Sequence, residues 1–221
     1  LDSLANRVAH RGDAAWGTRR VADFRAKQAQ KPIRPAAEGR ITPHAVLAVI
    51  RDQTADDVVI TTDVGSHKIF TALDWPAHSP NRYFVSNGLS AMGFGIPAAI
   101  AAAKITQQPA ICITGDAGLA MVIGELSLAV DMNLPVIIVV MNDHALDLIR
   151  SAQRRRGKTV YGTTFTNPDY GLIAAGYGLH YQRVTDVLSC QNALQAALAA
   201  TGPSLLDVQI DPSAYPTAVN R

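Results

Sequence analysis

The chain has 221 residues, of which 48% are hydrophobic and 17% are charged, so it can bury one large core. A net charge of +2 does not indicate a nucleic-acid partner, and the longest strongly apolar run, residues 134–141, is too short to cross a bilayer. We therefore expect a cytoplasmic protein that binds neither nucleic acid nor membrane. Two cysteines, Cys112 and Cys190, are too few for a disulfide framework and are interpreted as buried thiols of a reducing compartment.

The first 40 residues differ in composition from the rest of the chain. They are polar, carry nine of the 20 lysines and arginines, and show a helical pattern from Asp13 to Gln30 followed by a proline-rich stretch. No secretory signal is visible in them. We predict a linker or the tail of a preceding domain over residues 1–40, a main domain over residues 41–211 and a C-terminal tail over residues 212–221.

From Ile41 onward, helix patterns alternate with strand patterns. Thr42 and Pro43 predict a capped helix start. Strands are predicted over 57–62, 110–114, 135–141, 179–184 and 204–210. Helices are predicted near Ser66, over 93–104, 121–132, 145–154 and 187–200, and after 167–168. Apolar strands between helices are typical of a doubly wound α/β fold, in which helices cover both faces of a parallel sheet.

Acidic turns follow two of these strands. One reads Gly115-Asp116-Ala117, and the other contains Asn142 and Asp143. Because ligands bind at the carboxyl edge of open α/β sheets, the two carboxylates can converge on a hard cation, and a nearby helix N-terminus suggests a phosphorylated cofactor. The alternative is that both aspartates only cap helices.

At these turns the sequence resembles the thiamine-diphosphate enzymes. Their pattern is Gly-Asp-Gly, roughly two dozen residues, then Asn-Asn; here it reads Gly-Asp-Ala at 115–117, 24 residues (118–141), then Asn-Asp at 142–143. The segments 62–67 and 86–99 match as well. The resemblance covers about residues 41–211 and is strongest to the acetolactate synthase and 2-oxo-acid decarboxylase branch. It implies the C-terminal, diphosphate-binding domain of that family.

The resemblance also implies a set of site residues. The metal, Mg²⁺, is expected to bind the carboxylates of Asp116 and Asp143 and the main-chain carbonyl of Ala145. Asp143 stands where asparagine is commoner, and its extra charge is expected to tighten metal binding. The implied contacts to thiamine diphosphate are Val64, Gly65, Ser66, His67, Ser90, Met92, Gly115, Asp116, Ala117, Gly118, Asp143, Leu146, Asp147 and Leu148.

Three of these assignments have simpler alternatives. Met92 is expected to bend the cofactor, with the carbonyl of Ser90 accepting a hydrogen bond from it, but a methionine is otherwise an ordinary core residue. Ser66 and His67 are expected to hydrogen-bond the diphosphate; alternatively, Ser66 caps a helix and His67 lies on the surface. The basic run at 154–158 is interpreted as a solvated face, or as a mobile segment that attracts an anionic 2-oxo acid.

The glutamate that activates the cofactor in this family is not identified here. Glu38 and Glu125 are the only glutamates in the chain, and neither falls in a matching motif. The catalytic residue is therefore unknown. We expect a pyrimidine-binding domain from a missing segment or from another subunit, in a homo-oligomer that is a dimer or a tetramer.

The implied function is a thiamine-diphosphate- and Mg-dependent enzyme that decarboxylates a 2-oxo acid and then carries out carboligation, as acetolactate synthase does. The alternatives in the same family are a simple 2-oxo-acid decarboxylase and an aldehyde lyase. An alternative from another class is a non-catalytic phosphate- or nucleotide-binding module. The Gly-x-Gly-x-x-Gly turn typical of nucleotide binding does not follow the strand at 57–62.

Overall fold

The structure is a computed structural model that describes residues 15–29 and 35–215. The chain divides into two units, residues 1–34 and 35–221. Helix α1 (Ala15–Ala29) is the described part of the first unit. The two ends of the helix predicted from Asp13 to Gln30 lie outside the described residues.

Six parallel strands form one sheet in the order β2-β1-β3-β4-β6-β5. The strands are β1 (Val59–Thr62), β2 (Tyr83–Val85), β3 (Ala110–Gly115), β4 (Val136–Asn142), β5 (His180–Val184) and β6 (Ser204–Gln209). The five predicted strands are present with small shifts at their ends. Strand β2 was not predicted, because three residues on the edge of the sheet are too short to show a pattern.

Eight helices of the second unit surround this sheet within residues 35–215. They are α2 (Pro43–Gln53), α3 (Ser66–Asp74), α4 (Gly95–Thr106), α5 (Asp116–Met121), α6 (Leu126–Asp131), α7 (Asp147–Arg155), α8 (Tyr170–Tyr177) and α9 (Val187–Ala199). The predicted start of α2 is confirmed, since the Thr42 hydroxyl accepts a hydrogen bond from Ala45 N and Pro43 opens the helix.

The single helix predicted over 121–132 is wrong. The chain instead forms α5, leaves helical geometry at Val122 (φ −130°, ψ 27°), makes a 3₁₀ turn at Ile123–Glu125 and continues as α6. Helix α5 therefore begins five residues earlier than predicted, at Asp116. This start places the aspartate at the junction between β3 and the helix.

The core lies in two layers, one on each face of the sheet. On one face Ile111 and Ile113 pack with Val46 of α2 and Leu194 of α9. On the other face Cys112 packs in a second cluster with residues of α4, α5, α6 and α8. Because successive strand residues point to opposite faces, both faces of β3 are buried. The predicted doubly wound α/β fold is confirmed.

The strand order identifies a topological switch point between β1 and β3. The chain leaves β1 toward β2 at one edge of the sheet, and it leaves β3 toward β4 in the opposite direction. In open α/β sheets a crevice for ligands forms at this point, beyond the carboxyl ends of the strands. None of the described helices is long and apolar enough to cross a membrane.

Candidate active site

A cavity of about 200 Å³ lies at this switch point. Every residue that the sequence predicted for the cofactor and metal site contributes to its lining, and so do Met141, Ile149 and Tyr215. Tyr215 falls within the predicted C-terminal tail, yet its side chain is only 7% exposed and packs edge-on against Phe70. The structure thus brings the separate sequence motifs to one place, while their role in binding stays a prediction.

Asp63, a residue that the sequence analysis did not select, connects three of the turns around the cavity. Its carboxylate is fully buried and accepts hydrogen bonds from Val64 N at 2.7 Å, from Gly93 N at 2.9 and 3.0 Å, and from the Thr114 hydroxyl at 3.2 Å. Gly93 has a φ of 91°, which favours glycine. The turn at Met92 is therefore held against the ends of β1 and β3.

Asp116 is buried at the end of β3 and already accepts three hydrogen bonds. Its Oδ2 accepts from His144 N at 2.7 Å and from Asn167 Nδ2 at 3.0 Å, and its Oδ1 accepts from Ala117 N at 2.8 Å. His144 reaches Asp116 from a left-handed backbone conformation, with φ 56°. Burial raises the pKa of Asp116, and the hydrogen bonds from Asn167, Ala117 and His144 oppose the rise.

Asp143 lies at the end of β4 in the neighbouring turn. Its Oδ1 accepts from Ala145 N at 3.2 Å, and its Oδ2 is 3.2 Å from Nη2 of Arg150. Burial raises the pKa of Asp143 to about 7, and the carboxylates of Asp116 and Asp147 add to the rise, while Arg150 opposes it. Crowded carboxylates of this kind are stabilised in their ionised form by a bound cation.

Asp147, the first residue of α7, is the third carboxylate on the cavity wall. It accepts hydrogen bonds from the Ser66 hydroxyl at 2.7 Å and from Nη2 of Arg150 at 2.8 Å. The Ser66 hydroxyl thus donates to Asp147 across the cavity wall, and its hydrogen bond to the diphosphate stays a prediction. Asp116, Asp143 and Asp147 all line the cavity, and Arg150 contacts the last two, so this wall carries surplus negative charge when the three carboxylates are ionised.

His67 lies between the two glycine turns. Its side chain is buried, so the alternative that it is a surface residue is wrong. A Cβ atom on Gly65 would come within 2.5 Å of the ring, and one on Gly115 within 3.1 Å. Burial lowers the pKa of His67 to about 4, although Asp63 opposes this decrease. The ring is therefore neutral at pH 7. Within residues 35–215, Nε2 of His67 has no hydrogen-bond partner.

The structure also disagrees with the simpler alternatives for Ser66, a helix cap, and for Met92, an ordinary core residue. Gly65 is the N-cap of α3, and among the described residues no side chain caps that end of the helix, so Ser66 does not act as a cap. Met92 is only half-buried and lines the cavity, and it belongs to neither cluster of the core. Ser90 has a left-handed φ of 51°, and its hydroxyl accepts a hydrogen bond from Lys68 Nζ at 3.1 Å.

These features fit a diphosphate that carries a divalent cation. His67 lines the cavity with Nε2, which has no partner among residues 35–215, and the surplus carboxylate charge favours a cation. Among the described residues no three His, Cys, Asp or Glu side chains converge as a complete metal site. A metal held by Asp116 and Asp143 therefore needs further oxygens from the main chain, the ligand and water, which is how Mg²⁺ is commonly held.

The basic run lies apart from this cavity. Arg154, Arg155, Arg156 and Lys158 are all exposed at and beyond the end of α7. This position agrees with a solvated face, and closure of the segment over the site stays a prediction.

Comparison with known proteins identifies the class to which this fold and cavity belong. The family model described as "Thiamine pyrophosphate enzyme, C-terminal TPP binding domain" matches residues 63–208. The chain therefore belongs to the thiamine pyrophosphate (thiamine diphosphate) enzyme family, through its C-terminal cofactor-binding domain. The matched range begins at Asp63 and includes both acidic turns.

The chain is also similar to curated acetolactate synthase subunits. The chain is 34% identical over 180 residues to the acetolactate synthase isozyme 1 large subunit of Escherichia coli (strain K12), which covers 80% of this chain and 32% of that protein. It is 35% identical to the acetolactate synthase large subunit of Parasynechococcus marenigrum (strain WH8102), over 80% of this chain and 29% of that protein. It is also 35% identical to the mitochondrial acetolactate synthase catalytic subunit of Aspergillus candidus, over 78% of this chain and 26% of that protein. The chain thus spans about a third of the length of these relatives or less.

Proposed function

We propose that the protein is a thiamine-diphosphate- and Mg-dependent enzyme that decarboxylates a 2-oxo acid and then joins the remaining fragment to a second carbonyl compound. One observation carries this proposal: Asp116 and Asp143, at the ends of neighbouring strands, line one cavity at the switch point of the sheet. Membership of the family supports thiamine diphosphate as the cofactor that this chain binds. The names of the relatives support carboligation over simple decarboxylation.

The chain's own residues would hold the metal from one side of the cavity. Asp116 would present Oδ1, because its Oδ2 already accepts two hydrogen bonds. Asp143 would give a second carboxylate oxygen, and the main-chain carbonyl of Ala145 would give a third ligand. During exchange of the metal, the positive charge of Arg150 would neutralise part of the negative charge of Asp143 and Asp147.

The cofactor would lie along the remaining walls of the cavity. Gly65 and His67 would face the diphosphate, His67 through Nε2, which has no partner within residues 35–215. Met92 and Ser90 would contact the more apolar part of the cofactor. Leu146 and Leu148 would exclude water beside the reacting atoms. When bound, the cofactor supplies the electron sink that allows a 2-oxo acid to lose CO₂.

The chain would supply only the diphosphate-and-metal half of the site. Neither Glu38 nor Glu125 lines the cavity, so the glutamate that activates the cofactor would come from a pyrimidine-binding domain outside this chain or from another subunit. We propose a homo-oligomer for this reason. Residues 41–211 would form the cofactor domain, residues 1–40 its connection to a preceding domain, and residues 212–221 a tail whose Tyr215 packs back onto the core.

The activity can be tested with pyruvate as the 2-oxo acid. The longest obtainable form of the protein is incubated with thiamine diphosphate and Mg²⁺, and released CO₂ is measured together with the carbon products. We expect CO₂ with a carboligation product such as acetolactate. Release of CO₂ with free acetaldehyde alone would favour the simple decarboxylase, and absence of turnover with a panel of 2-oxo acids would contradict the proposal.

A further inference from the structure

A segment of the chain, residues 162–169, follows α7 and crosses the turn after β4; we name it the cross-over segment. Main-chain hydrogen bonds fix it there. Leu146 N donates to Thr163 O at 2.8 Å, and Phe165 N donates to His144 O at 3.2 Å. The segment is thus paired with the turn that contains the proposed metal ligands of β4.

Asn167 is the residue of this segment that reaches the site. Its Nδ2 donates to Oδ2 of Asp116 at 3.0 Å and to Oδ1 of Asn142 at 2.8 Å. Both hydrogens of one amide group are therefore used, one at the end of β3 and the other at the end of β4. The contact with Asp116 spans 51 positions of the chain.

The orientation of the Asn167 amide follows from its neighbours. Asn142 donates through Nδ2 to Oδ1 of Asp207 at 2.7 Å, and a carboxylate only accepts. Asp207 is buried and also accepts from Nε2 of Gln209 at 2.8 Å and from the Tyr181 hydroxyl at 3.3 Å. Asn142 must then turn its oxygen toward Asn167, so Asn167 presents its donor nitrogen to both partners.

The same contact decides which oxygen of Asp116 remains available. An ionised carboxylate oxygen has about two lone-pair sites. Asn167 Nδ2 and His144 N use both sites of Oδ2, whereas within residues 35–215 Oδ1 accepts from Ala117 N alone. Oδ1 is therefore the oxygen with a free site.

We propose that Asn167 is a positioning residue for the metal: its amide holds the Asp116 carboxylate with Oδ1 open to a divalent cation, and it thereby couples the cross-over segment to metal loading. This inference rests on the proposed function. Asn167 does not need to touch the metal or the substrate. Its effect is transmitted through the rotation of one carboxylate, as outer hydrogen-bond partners act at other metal sites.

The test compares Asn167→Ala and Asn167→Ser with Thr166→Ala, a matched control at an exposed position of the same segment. Mn²⁺ is titrated into each protein in the presence of thiamine diphosphate, and free Mn²⁺ is followed by electron paramagnetic resonance. We expect the Mn²⁺ affinity of Asn167→Ala to fall about tenfold. Asn167→Ser, which keeps one short donor, should lie between the alanine variant and the wild type, and Thr166→Ala should match the wild type.

Kinetics separate a positioning role from a purely structural one. At saturating Mn²⁺, kcat and KM of the Asn167 variants should return to the wild-type values, because only the loading of the metal is impaired. Unchanged Mn²⁺ affinity in Asn167→Ala, or in Asn167→Ser if the alanine variant does not fold, would overturn the inference and leave the proposed function standing. All variants are made in the longest obtainable form of the protein, and absence of Mn²⁺ binding by the wild type in that form would contradict the proposed function, and the inference with it.

Discussion

Replacing Asp143 by asparagine should remove most of the pH dependence of metal binding. The carboxylate must be ionised to bind Mg²⁺, and burial together with Asp116 and Asp147 raises its pKa to about 7 in the metal-free protein. Asparagine keeps an oxygen ligand in the same place and does not titrate. The wild type should therefore lose affinity as the pH falls through about 7, whereas Asp143→Asn should not lose it to the same extent.

The size of the effect follows from the ionised fraction of Asp143. With a pKa of about 7, this fraction falls about tenfold between roughly pH 8 and pH 6, which corresponds to about 1.4 kcal/mol of metal-binding free energy. Burial also raises the pKa of Asp116, so some pH dependence should remain in the variant. We expect that remaining change to be smaller than the change in the wild type over the same range.

The assay is a calorimetric titration of Mg²⁺ in the presence of thiamine diphosphate at several pH values. Titration of the cofactor's diphosphate is common to both proteins and cancels when their affinities are compared. At about pH 8 the wild type should bind Mg²⁺ more tightly than Asp143→Asn, because it adds one negative charge. Parallel pH profiles for the two proteins would refute this reasoning.

Two further predictions concern a closely packed glycine and the two buried cysteines. Gly118→Ala should lower the free energy of unfolding by about 1–3 kcal/mol, because its Cβ would lie 2.6 Å from both Asp63 Oδ2 and Thr114 Oγ1. The control Gly124→Ala, whose Cβ would meet no atom of residues 35–215 within 4 Å, should be neutral or stabilising in urea unfolding. Equal losses in both variants would contradict the steric argument. Cys112 and Cys190 should react with a thiol reagent only after unfolding, because both are buried, and burial raises the pKa of Cys190 to about 12; rapid labelling of the native protein would contradict this expectation.

The elements that position the site could be predicted because their signals are local. Strands β3 and β4 are largely apolar, and each is followed at once by an acidic residue, Asp116 or Asp143. The parallel arrangement then places both carboxylates at one edge of the sheet. Strand β2 and the break at Val122 could not be predicted in this way, because one is too short for a pattern and the other interrupts an otherwise helical sequence.

Residues whose hydrogen-bond partners lie far away in the sequence were not predicted either. Asp63 bonds Gly93 and Thr114, which lie 30 and 51 positions away, and Asn167 bonds Asp116 across 51 positions. Nothing in the sequence around these residues indicates their partners. Tyr215 is similar, since its burial against Phe70 depends on how the end of the chain returns to the core.

The most direct test of the account is calorimetry of thiamine diphosphate binding, first with Mg²⁺ and then with EDTA. The longest obtainable form of the protein is compared with Asp116→Ala and with Asp131→Ala, a control at an exposed aspartate at the end of α6. We predict that thiamine diphosphate binding depends on the metal, is lost in Asp116→Ala and is retained in Asp131→Ala. Binding that is unaffected by EDTA and by loss of the Asp116 carboxylate would contradict it.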